Sequence, residues 1–75
     1  MTTLGREIKQ ARARLGMQQK DLRLATRISQ KYLSRIENDH ADPSWSTLVK
    51  IARILPLDLA AVVRDTPHDD YAMPE

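Results

Sequence analysis

The chain has 75 residues, 41% apolar and 29% charged, with a net charge of +2 and no cysteine. That leaves room for one small domain, marginal unless helix packing is tight or a partner adds burial. Disulfides are excluded, two His residues cannot close a four-ligand zinc shell, and no run reaches the roughly 20 apolar residues of a membrane span. The N-terminus has no apolar signal core, and the lack of Cys fits a reducing cytoplasm. Charge is unevenly placed. Up to Glu37 there are nine Lys/Arg against three Asp/Glu; from Asn38 onward there are three against seven. A basic first half suits a polyanion, although a solvated helix surface accounts for it equally well.

Leu4, Ile8, Ala11 and Leu15 recur at helical spacing, which predicts a first helix over 4–15 ended by Gly16 in the left-handed C′ position. A second helix is expected over about 19–25, with Leu22 and Ala25 inward and Asp21 in the first turn, where the helix dipole favours an anion. The third has the clearest start. Ser29 is a good N-cap, and Ile28 before it and Leu33 one turn in fit a hydrophobic staple. Leu33 and Ile36 point inward, and the helix should stop near Glu37, where a turn-rich stretch leads to Pro43. Leu48, Ile51, Ala52 and Leu55 mark a fourth helix, capped by Ser44 and stopped by Pro56. A short fifth helix is expected over 59–64, capped by Asp58. The chain thus divides into a helical domain, 1–64, and a flexible acidic C-terminal tail, 65–75, with two Pro and no periodicity.

The class is all-α. The informative stretch is 17–37: two short helices on a tight connection, the second polar on its outer side. Gln30, Lys31, Ser34 and Arg35 lie there, with Tyr32 nearby. Gln pairs with adenine, Arg and Lys with guanine, and Ser with either. An ordinary solvated face remains the competing account. His40 and His68 fall in loop and tail, and Gly5 and Gly16 form no phosphate-cradling loop. No enzyme, cofactor or metal is expected.

Met17-Gln18-Gln19-Lys20-Asp21-Leu22, then the run from Ile28 to Asn38, then Pro43-Ser44 with Thr47-Leu48 and Ile51-Ala52, then Leu55, Leu57 and Leu59, form an ordered set. It resembles the Cro/CI-type helix-turn-helix family of phage repressors and bacterial regulators. The resemblance covers about 4–63 and implies a five-helix, lambda-repressor-like domain in which helices 2 and 3 form the helix-turn-helix. It implies that Gln19 holds a phosphate and braces Gln30, the first residue of the recognition helix, over an adenine. It implies that Lys31, Tyr32, Ser34 and Arg35 face bases or phosphates, and that Asn38 approaches the DNA backbone. Arg12 and Glu37 match a structural salt bridge of the family, and Trp45 matches an apolar core position. Three residues depart from the pattern: Arg23 where Ala is frequent, Arg27 in the turn where Gly is usual, and Pro56 where Gly is frequent.

The function so implied is sequence-specific regulation of transcription, with repression favoured. The protein would be cytoplasmic, bacterial or phage-encoded, and would bind double-stranded DNA on a pseudo-palindromic operator as a homodimer. Leu57, Leu59, Val62 and Val63 supply more apolar surface than a short helix turns onto its own core, and are the expected dimer contact. The alternative is a protein-interaction module on the same fold, an antitoxin or anti-regulator with a toxin or anti-repressor as partner.

Overall fold

Five helices follow one another: α1 (Leu4–Arg14), α2 (Gln19–Thr26), α3 (Gln30–Glu37), α4 (Trp45–Ile54) and α5 (Leu59–Arg64). The computed structural model describes residues 2–64; the expected tail, 65–75, lies outside them. Among the described residues there is no strand, and no helix is long and apolar enough to cross a membrane.

Each helix starts where a short polar side chain satisfies a free backbone N–H. The hydroxyl of Thr3 accepts from Arg6 N at 3.1 Å, that of Ser29 from Tyr32 N at 3.1 Å and that of Ser44 from Thr47 N at 3.2 Å. Asp21 reaches back to Gln18 N at 2.9 Å, and Asp58 accepts from Ala61 N at 3.1 Å. The C-terminus of α1 closes as a Schellman motif. Gly16, at φ 70°, donates to Ala13 O, and Met17 N reaches Arg12 O, both at 3.0 Å.

The core is Ile8, Ala11, Leu22, Ile28, Leu33, Ile36, Ile51 and Leu55. Both staple residues, Ile28 and Leu33, belong to it. α3 lies between α1 and α2, α2 packs on α4, and α5 returns to α1.

Several expected core positions turn outward. Leu15 is 51% exposed, because the helix has ended there and the residue caps it at φ −91°, ψ 2°. On α2 the buried partner of Leu22 is Thr26, one turn on, while Ala25 is exposed; the Thr26 hydroxyl donates to Leu22 O at 2.7 Å, so its burial strands no polar group. On α4, Thr47 and Ile51 are buried and Ala52 is exposed. Trp45 is 77% exposed and does not pack in the core. It precedes Thr47 by two residues, about 200° round the helix, which sets it on the face opposite the buried stripe.

Arg27 stands at φ 60°, left-handed despite its side chain. Arg27→Gly should therefore stabilise the fold by about 1 kcal/mol. The expected result is a higher urea midpoint with an unchanged slope; a lower midpoint would show that the turn carries no strain. Arg23 does not swing fully outward. It is half-buried, and its Nε is shielded from solvent without a hydrogen bond.

Candidate nucleic-acid interface

α3 presents Gln30, Lys31 and Arg35 to solvent and half-buries Ser34. Behind this face lies an ion pair. Arg12 on α1 grips Glu37 with two bonds, Nε to Oε2 at 2.9 Å and Nη2 to Oε1 at 3.0 Å. The Glu37 side chain is fully shielded and that of Arg12 is 15% exposed. Arg12 Nη1 also donates to Met17 O at 2.8 Å, which ties the connection before α2 to the same pair.

The pair extends outward through amides. Gln19 Nε2 donates to Glu37 Oε1 at 3.1 Å, and Gln19 Oε1 accepts from Gln30 Nε2. A continuous hydrogen-bonded chain thus runs from a buried charge pair to the first exposed side chain of α3.

The far end of α3 is held by the loop that follows. Asp39, at φ 62°, takes the left-handed position that glycine usually fills. Its N–H reaches Ile36 O at 3.1 Å and His40 N reaches Arg35 O at 2.8 Å, a second Schellman motif. This conformation carries the Asp39 carboxylate to the start of α1, where Thr3 Oγ1 donates at 2.7 Å and Gly5 N at 3.2 Å. A carboxylate at a helix N-terminus also meets the positive end of the dipole. Arg35 Nη2 donates to His40 O at 3.1 Å, and Asn38 Nδ2 donates back to Ser34 O at 2.9 Å. Tyr32 is half-buried against the core, and its hydroxyl joins Asp42 O and Ser44 N, each at 3.3 Å. It fastens α3 to the loop before α4. An open polar groove of about 360 Å3 beside this end is lined by Arg6, Lys9, Gln10, Glu37, Asn38 and Asp39.

Two short helices at residues 19–37, the second capped, polar outside and braced from within, are the geometry of a helix-turn-helix. A family model described as Helix-turn-helix matches residues 8–62, most of the chain. The chain belongs to the Cro/CI-type helix-turn-helix family. This family is one of DNA-binding regulators. Among solved structures, the domain is similar to the clp gene regulator ClgR from Corynebacterium glutamicum, at 30% identity and a TM-score of 0.70. The similarity covers 81% of this chain and 65% of that one, so the present chain spans less than two thirds of its neighbour. No curated protein is a match.

Three residues that brace this helix-turn-helix have no mark in the sequence read alone: Gly5, Asp39 and Glu7. Gly5 allows α1 to lie directly on the end of α3. Glu7 is buried and accepts from Arg14 Nη2 at 3.1 Å and from Asp58 N at 2.8 Å, holding the start of α5 against α1. Of the four expected dimer residues, Leu57 packs against the monomer core and Val62 is half-buried, whereas Leu59 is 38% and Val63 61% exposed.

Proposed function

We propose that this chain regulates transcription by placing α3 in the major groove of a pseudo-palindromic operator as a homodimer, and that it acts in the cytoplasm, most simply as a repressor. One observation carries the reading. The exposed side chains of α3 are types that read base edges, and the first of them, Gln30, is held by Gln19 and a buried ion pair. Gln30 and Arg35 read bases. Lys31 and Ser34 add base or phosphate contacts, Asn38 approaches the DNA backbone, and Gln19 both contacts phosphate and braces Gln30. Arg6 and Lys9, beside Asn38 in the open groove, supply positive charge to the flanking backbone. Tyr32 contributes by holding the loop.

Selection of bound sites from a random duplex pool tests this. A two-fold site is expected. Arg35→Ala should then cost about 1–3 kcal/mol on the best site and relax preference at one base position, and Gln30→Ala should do so at another. Uniform weakening on all sequences would reduce either residue to a phosphate contact, and strict additivity between Gln19→Ala and Gln30→Ala would remove their coupling.

The exposed Leu59 and Val63 support a dimer through α5. One helix-turn-helix reads a short half-site, and two copies about 34–36 Å apart match a two-fold operator. Val63→Asp should split the dimer without unfolding the domain, as read by sedimentation at micromolar concentration. A wild-type chain that sediments as a monomer and binds one half-site would refute it.

The alternative, a protein-interaction module, has Trp45 and Leu24 behind it, 77% and 64% exposed. A salt titration on random duplex separates the two: steep dependence supports DNA, and a flat one supports a protein partner.

A further inference from the structure

A carboxylate paired with a guanidinium can only accept hydrogen bonds. Whatever faces Glu37 must therefore turn a donor toward it. Gln19 does so with Nε2, at 3.1 Å from Glu37 Oε1. A side-chain amide has its donor and acceptor at opposite corners, so Gln19 then faces Gln30 with its oxygen. Gln30 has to answer with an N–H, and its Nε2 donates to Gln19 Oε1. The sense of every amide in this chain is thus dictated by the charge at its buried end.

The consequence lies at the exposed end. One of the two Nε2 protons of Gln30 is committed to Gln19. What remains to face a base is one N–H and the carbonyl Oε1. Adenine presents an N7 acceptor and an N6 donor in the major groove, which this remainder complements; guanine presents two acceptors, O6 and N7. An unpinned glutamine can turn both amide protons outward to guanine. A pinned one meets guanine O6 with its own oxygen.

We propose that Glu37 is a positioning residue that sets base discrimination: through Gln19 it fixes the amide of Gln30 so that adenine is accepted and guanine refused. This rests on Gln30 being a base reader, as proposed above. Glu37 itself touches no base. It is buried about two helical turns along α3 from Gln30, and it acts by the direction of two hydrogen bonds.

The test uses the full chain and four duplexes that differ only at the base pair where Gln30→Ala flattens preference, at one salt concentration. The readout is the ratio of affinities for adenine and guanine, measured by fluorescence anisotropy well below each variant's melting midpoint. In wild type this ratio should be about tenfold or more. In the double variant Arg12→Met/Glu37→Leu neither charge remains and Gln19 has no buried acceptor to face, which lets both amides reverse and frees the Gln30 protons; the ratio should fall below about threefold. Gln19→Leu removes the middle of the hydrogen-bonded chain and leaves the Arg12–Glu37 pair in place, so it serves where the double variant does not fold, and it carries the same expectation. A merely structural role would weaken all four duplexes equally and keep the ratio. A wild-type ratio in either folded variant overturns the proposal. If Gln30→Ala flattens no position at all, the base-reading assignment fails, and the proposal falls with it for that separate reason.

Discussion

Arg12→Met should destabilise the domain by about 3–5 kcal/mol. The magnitude comes from what is left behind rather than from the pair's own attraction. Glu37 is fully shielded, and two of its three hydrogen bonds come from Arg12. Methionine fills the space of the arginine stem but supplies no donor, so a carboxylate remains in the interior with the Gln19 amide alone. Met17 O loses its side-chain donor as well. A domain of this length has a total stability of about 4–11 kcal/mol, so the change consumes much of it. Urea denaturation followed by circular dichroism gives the answer. The double variant Arg12→Met/Glu37→Leu should recover most of the loss, because replacing both ions by apolar groups removes the unpaired charge. A single variant that melts like wild type would show that the pair contributes nothing to stability.

Gly5→Ala should cost about 3 kcal/mol, at the upper end for overpacking. A Cβ at this position would stand against Ile36 O closer than real Cβ contacts allow, 2.6 Å from Asp39 Oδ1 and 3.0 Å from Glu37 O. Two of these atoms are backbone of α3, held in its closing turn, and cannot swing aside as a side chain end would. The Asp39 carboxylate would be pushed from Gly5 N and Thr3 Oγ1, so the start of α1 loses its second cap. Alanine's better helix propensity returns only about 1 kcal/mol of this. The expected fall in Tm is about 10 °C or more. A gain in Tm, the usual result of Gly→Ala inside a helix, would mean that α1 and α3 lie further apart than described.

The sequence by itself determined the class, the helix order, the caps at Ser29, Ser44 and Asp58 and the closure at Gly16. These depend on residues within one turn of each other: Thr47 N meets Ser44, Tyr32 N meets Ser29, Ala61 N meets Asp58, and Gly16 closes the helix it follows. Local chemistry is enough to place them. The polar outer face of α3 was readable from residue type, and the joining of Gln19 to Gln30 and of Arg12 to Glu37 came from the resemblance, since their partners lie 11 and 25 positions away. Only the tertiary structure decided which side of each stripe faces inward. An apolar pattern leaves that angle uncertain by about one residue, or about 100°. Thr26 is therefore buried where Ala25 was expected, and Trp45 stands in solvent where a core residue was expected. Tertiary structure alone also decided the roles of Gly5, Glu7 and Asp39. Each acts on a partner 31 to 51 positions away, through a closeness of backbones or a carboxylate aimed at another helix's start. Nothing in a residue's immediate neighbours encodes such a meeting; it exists only once α1, α3 and α5 have packed.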